Sequence, residues 1–153
     1  MSGNKLRLRH VDAPHTLLSQ DWKQALSGVE PDPVVGIRHT VLDGEASFRT
    51  HLAEIPQKVG CHYHKEGDED YIVLQGAGRL HWGAVSDDGV SVAWEAALDV
   101  SAGDLFTIPP GYAHQLERKG DENLVIIFKC PDTHLNDDHD RFMLPDAPSV
   151  KPV

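Results

Sequence analysis

Gly60-Cys61-His62-Tyr63-His64-Lys65-Glu66-Gly67-Asp68-Glu69 sets two imidazoles and a carboxylate within one short segment. His62 and His64 are one residue apart, so on a strand, where side chains alternate between faces, both rings point the same way. That is the spacing a chelate needs, and Glu69 follows after a short turn with a charge that offsets part of a dication's. A lone pair of this kind in a chain with ten histidines also arises by chance on an exposed strand, so by itself it is read as structural.

The flanks change that reading. Asp70 to Gln75 has the texture of a strand and ends at Gly76, and a second block runs Gly103-Asp104-Leu105-Phe106-Thr107-Ile108-Pro109-Pro110-Gly111-Tyr112-Ala113-His114. The two blocks resemble the paired motifs of the cupin superfamily. In the first, Glu69 follows His64 after four residues and Gly76 follows Glu69 after six. In the second, Gly103, Pro109, Gly111 and His114 all stand at the family's positions. Arg118 stands where the second motif has Asn, at a position that does not ligate metal.

The resemblance spans about Val34 to Phe128. It implies an all-β fold, a double-stranded antiparallel β-helix or jelly-roll barrel, open at one end to a small ligand. It also implies one divalent ion per chain, Fe, Mn, Ni or Zn, held by His62, His64, Glu69 and His114, with one or two positions left for water or substrate.

The rest of the chain agrees with many short strands. Val34–Leu42, Ser47–Ile55, Tyr71–Leu74, Arg79–Val85, Val90–Trp94 and Leu124–Phe128 are β-type runs separated by Gly- or Asp-rich breaks. Asp87-Asp88-Gly89 reads as a hairpin, since Asp-Gly tolerates the positive φ such turns need. Pro109-Pro110-Gly111 stiffens the turn that delivers His114. Residues 1–33 form a lead-in with a short helix around Leu17–Leu26, capped by Thr16 or Ser19 and stopped at Glu30-Pro31-Asp32-Pro33. Residues 34–130 form the barrel and 131–153 an irregular acidic tail, where Asp132, Asp137, Asp138, Asp140 and Asp146 read as solvated.

With 153 residues the chain is one domain, large enough for a core without disulfide staples. The formal charge of -10 argues against nucleic acid, whose binding needs clustered Lys and Arg, and against anionic membranes. No apolar run approaches the ~20 residues of a membrane span, and no secretory leader is visible, so a cytoplasmic protein is expected. Cys61 and Cys130 form no metal or disulfide pattern and are expected to be reduced thiols, with Cys61 beside the candidate site open to oxidation.

Around the ion, strand parity puts Tyr71 on the face of Glu69, where its hydroxyl is a candidate acid or base; a core tyrosine that only packs is the other reading. Arg118 shares the parity of His114 and is a candidate for binding an anionic substrate, against a rim ion pair. Phe106 is a second substrate-side candidate, although it, Trp82 and Trp94 also read as core or interface residues. His10, His15, His39, His134 and His139 lack motif context and read as surface residues.

The function expected is a metal-dependent enzyme, a dioxygenase, sugar isomerase or epimerase, or lyase, acting on a small polar or anionic metabolite. The competing reading is a cupin that binds or senses a sugar or organic acid without turnover. The resemblance also implies a homodimer, formed through sheet edges and the segment before Val34.

Overall fold

The computed structural model describes residues 6–18, 21–135 and 138–150. In chain order its strands are β1 (Arg9–His10), β2 (Arg38–Glu45), β3 (Phe48–Ile55), β4 (His62–Tyr63), β5 (Glu69–Gln75) and β6 (Ala77–Val85). They continue with β7 (Val92–Trp94), β8 (Leu98–Ser101), β9 (Asp104–Ile108), β10 (Tyr112–Arg118), β11 (Leu124–Cys130) and β12 (Phe142–Met143). One sheet has the order β1-β9-β5-β11-β3-β2; the other runs β12-β4-β10-β6-β7, with β8 also paired to β6. Every pairing is antiparallel.

Alternation along the strands builds the core between the sheets. Leu124, Ile126, Phe128 and Cys130 of β11 face Leu80 and Trp82 of β6 and Leu116 of β10 in one cluster that also holds Phe106. The intervening Val125 packs outward with Leu26, Leu52 and Leu74 beneath Trp22 and Ala25. Both faces of β11 are therefore covered at their centre, which is why Leu124–Phe128 is apolar without alternation.

The lead-in is shorter in its helix than expected. A 3-10 turn covers Pro14–Leu17, and a single helical turn, α1 (Trp22–Ala25), is capped by the Asp21 carboxylate, which accepts from Lys23 N at 2.9 Å. Thr16 does not cap it: its hydroxyl bonds Ala13 O at 2.8 Å. Ser19 lies outside the described residues. The Asp-Gly turn forms as expected, with Asp88 Oδ1 accepting from Val90 N and Ser91 N at 2.9 and 2.8 Å and Gly89 at φ 76°.

The solvated reading of the C-terminal segment fails for Asp140 and for several residues around it. His134, Asp140, Arg141, Ala147 and Val150 are buried, and β12 pairs with β4 through Phe142↔Tyr63 and Met143↔His62. The acidic residues obscured an apolar run, Phe142-Met143-Leu144, that returns the chain to a sheet edge, while Asp140 is held inside by backbone donors. Asp138 is exposed, Asp146 is exposed but pairs with Lys58 at 2.5 Å, and Asp137 lies outside the described residues. No helix among the described residues is long and apolar enough to cross a membrane.

Candidate metal centre

Three elements deliver the donors. β4 carries His62, with His64 just beyond it, and β10 lies beside β4 with His114 directly opposite His62. Gly67, at φ 81°, lets the chain turn from this sheet into the other, where Glu69 opens β5. The ligand atoms of His62, His64, Glu69 and His114 all lie within 4.8 Å of one another, and all four side chains are buried.

The outer nitrogens fix what the inner ones present. Nδ1 of His62 lies 2.7 Å from Gly60 O, that of His64 2.5 Å from Asp140 O, and that of His114 3.1 Å from Tyr112 O. A carbonyl only accepts, so each Nδ1 carries the proton and each Nε2 presents a lone pair. Nε2 of His64 and of His114 are buried without a hydrogen-bond partner, although Glu69 oxygens stand 3.0 and 3.3 Å away. Orphaned buried acceptors beside a carboxylate are costly by themselves and fit a cation placed among them. Burial and the neighbouring imidazoles also hold His62 well below the usual imidazole range, as a neutral ligand requires.

Glu69 is the hub. Burial alone would raise its pKa, but protons that His64, His114 and His134 carry toward it hold it well below the usual carboxylate range, and a cation in place of those at His64 and His114 would do the same. Tyr71 donates its hydroxyl to Glu69 Oε1 at 2.5 Å. Burial, reinforced by that carboxylate, pushes the phenol well above its ordinary value, so Tyr71 keeps its proton in this arrangement.

His134, read from sequence as a surface residue, is 1 % exposed and belongs to this centre. Its Nδ1 is 2.9 Å from Glu69 Oε2, its Nε2 is 2.5 Å from Glu66 O, and its ring stacks on His64 at 3.8 Å. Burial opposes its charge, but Glu69 raises its pKa above the usual value, which suits a ring that donates at both ends. Asp140 accepts from Lys65 N and Glu66 N at 2.7 and 3.0 Å, closing the same loop. Neither residue falls within the paired motifs; the only sequence signal was the apolar run that brings their segment back. Of the other unplaced histidines, His10, His15 and His139 are exposed as expected and His39 is half-buried.

Arg118 is not brought to the centre. It has the expected parity but ends β10, and its guanidinium donates to the carbonyls of Gly120, Pro56 and Asp121. Phe106 is 1 % exposed and stacks behind Tyr71 at 5.0 Å, as a support for that ring. Cys61 is 1 % exposed and burial pushes its thiol up to about 12, contrary to the expectation of easy oxidation. Cys130 is raised by burial as well; its sulfur, Glu69 and His134 form a second cluster of ligand atoms that shares Glu69 with the first.

A cavity of ≈ 40 Å³ opens beside the donors. His62 and Glu69 form part of its wall, with Tyr71, His134, His39 and Arg141 as its other polar groups and side chains such as Ile37 and Phe128 as apolar ones. Arg141 is buried and pairs with Asp32 at 3.2 Å.

The chain is similar to several solved structures. CapF with the inhibitor 3-isopropenyl-tropolone aligns with a TM-score of 0.56, with 18% identity over 77% of this chain and 34% of that one. Oxalate decarboxylase from Lactobacillus farciminis in its formate complex gives 0.53, with 16% identity over 76% of this chain and 34% of the other. A cupin-2 domain protein from Shewanella frigidimarina NCIMB 400 gives 0.52, with 18% identity over 74% of this chain and 94% of the other. The chain thus spans about a third of the oxalate decarboxylase and CapF chains it matches, and nearly all of the cupin-2 protein. No curated protein matches. A family model described as polysaccharide biosynthesis C-terminal domain matches residues 34–142. The chain thus has the cupin fold of these structures, and the match over residues 34–142 makes it a member of the polysaccharide biosynthesis C-terminal domain family.

Proposed function

We propose that His62, His64, Glu69 and His114 hold one divalent ion and that the chain is a metal-dependent enzyme acting on a small polar or anionic molecule in the adjoining cavity. The observation that carries this reading is the pair of buried, unpartnered Nε2 atoms of His64 and His114 beside Glu69. Three neutral imidazoles and one carboxylate suit Fe, Mn, Ni or Zn. When bound, the ion polarises substrate oxygens and stabilises negative charge that develops on them.

The chain's own residues supply the rest. Glu69 anchors the ion and accepts from Tyr71; His134 and Asp140 fix Glu69 and His64 from outside; the apolar wall excludes water. Tyr71 Oη holds a proton next to the cavity and is the group that gives it to the substrate. Proton transfer by Tyr71 would serve isomerase, epimerase and lyase chemistry; a dioxygenase would instead draw on the redox chemistry that an Fe ion held by His62, His64, Glu69 and His114 would supply. Oxalate decarboxylase, with a comparable fold, acts on a small dicarboxylate, which agrees with an anionic substrate. The proposal includes a homodimer, for which β2, an edge strand with Val41 48% exposed, offers one unpaired side.

Metal analysis of protein purified with each ion tests the assignment. Stoichiometric metal in the wild type and its loss in His114→Ala are expected, with a folded spectrum in both. Equal metal content in the two proteins refutes it. Loaded protein that binds organic acids or sugars but converts none of them, with or without O₂, leaves the binding cupin as the function.

A further inference from the structure

Resting on the metal reading above, we propose that the ligand is a small carboxylate and that Arg141 is the residue that selects it. Among the polar side chains of the cavity, His62 and Glu69 belong to the donor set, and Tyr71 and His134 are hydrogen-bonded to Glu69. Arg141 and His39 complete the polar wall, and Arg141 is its permanent cation. A planar guanidinium presents N–H donors in a fork that matches a carboxylate, and among apolar walls such a contact is strong.

The size of the space agrees. A cavity of ≈ 40 Å³ accommodates roughly three waters, the scale of a two- or three-carbon acid. Asp32, one partner of Arg141, is itself divided: its Oδ2 lies 3.2 Å from Nη1, while Oδ1 accepts from Val34 N and Val35 N at 2.8 and 3.3 Å. A ligand carboxylate and Asp32 are therefore competitors for one guanidinium.

That competition separates selection from a purely structural role. If the Arg141–Asp32 pair is only a strut between the C-terminal segment and the loop before β2, removing either partner harms the cavity alike. If Arg141 binds the ligand, removing the carboxylate of Asp32 strengthens anion binding while removing the guanidinium weakens it. Asn at position 32 keeps an oxygen for the two backbone donors, so the turn is preserved.

The experiment is calorimetric titration of the full chain, loaded with Mn(II), using glycolate and its neutral analogue glycolamide as probes. The wild type is expected to prefer glycolate by at least tenfold; Arg141→Gln loses ~10–100-fold in glycolate affinity and much less in glycolamide affinity, with manganese content unchanged. Asp32→Asn holds or tightens glycolate. Equal weakening of glycolate in both variants, or no change in either, overturns the proposal. If Arg141→Gln does not fold, Arg141→Lys keeps the charge without the fork and is expected to lose about tenfold; unchanged affinity there overturns it equally. A wild type that takes up none of Mn(II), Fe(II), Ni(II) and Zn(II) refutes the metal reading. In that case a glycolate preference abolished by the Arg141 variants still supports Arg141, and its absence overturns both.

Discussion

Replacing His134 by Phe keeps a ring to stack on His64 but removes both donors of the imidazole. Glu69 Oε2 loses a partner at 2.9 Å and Glu66 O one at 2.5 Å. A buried bond to a charged group contributes about 1.5–3 kcal/mol and a neutral one about 0.5–1.5, so the penalty below neutral pH is about 3 kcal/mol, or roughly 6–12 °C in Tm for a chain of this size. The penalty depends on pH in a defined direction. Burial lowers the pKa of His134, but Glu69 outweighs it and the folded value lies above the unfolded 6.5. Such a group stabilises fully below the unfolded pKa and loses its contribution as pH rises through the folded one. Neutral His134 keeps a single donor, so by pH 9 the difference between wild type and variant should shrink to about 1 kcal/mol. Urea unfolding of chelator-treated protein at pH 6 and pH 9 measures both values. A penalty that is absent at pH 6, or the same at both, refutes the doubly donating His134.

Three further outcomes are expected. Tyr71→Phe retains stoichiometric metal and loses ~10²–10⁴-fold in kcat, whereas a tyrosine that only packs leaves kcat intact; metal analysis and steady-state kinetics separate the two. Gly76→Ala destabilises the fold by about 2 kcal/mol or more in thermal melts, because φ is 89° and an added Cβ would lie 2.6 Å from the backbone oxygen of Asn123. Cys61 and Cys130, both buried, should react with a thiol reagent at pH 8 only after unfolding, so two rapidly titrating thiols in the native protein would contradict their burial.

The candidate donors could be picked out in the chain because they sit on one strand-turn-strand unit and at the start of one further strand, β10, where parity and fixed spacing decide direction. The same rule failed to place Arg118 in the cavity: parity gives the face, but the last residue of a strand has carbonyls of the next turn within reach, and its guanidinium took them. Strand cores such as Ser47–Ile55 and Arg79–Val85 were legible from their composition, while β1, β4 and β12, two residues each, were too short for any pattern. His134, Asp140 and Arg141 were hidden for another reason. Their roles depend on a tertiary return of the chain, and the acidic residues around them masked the apolar run that causes it.

The separation between the donors and their supports has a consequence for synthesis. His64 and Glu69 precede the groups that orient them, Asp140 and His134, by 76 and 65 residues. A growing chain therefore exposes His62, His64 and Glu69 well before the clasp that aligns them exists, and even His114 emerges ahead of it. Any ion captured at that stage would be held by loosely oriented side chains and would exchange readily, so the choice of a metal would fall to the finished protein and the supply around it rather than to whichever ion arrives first.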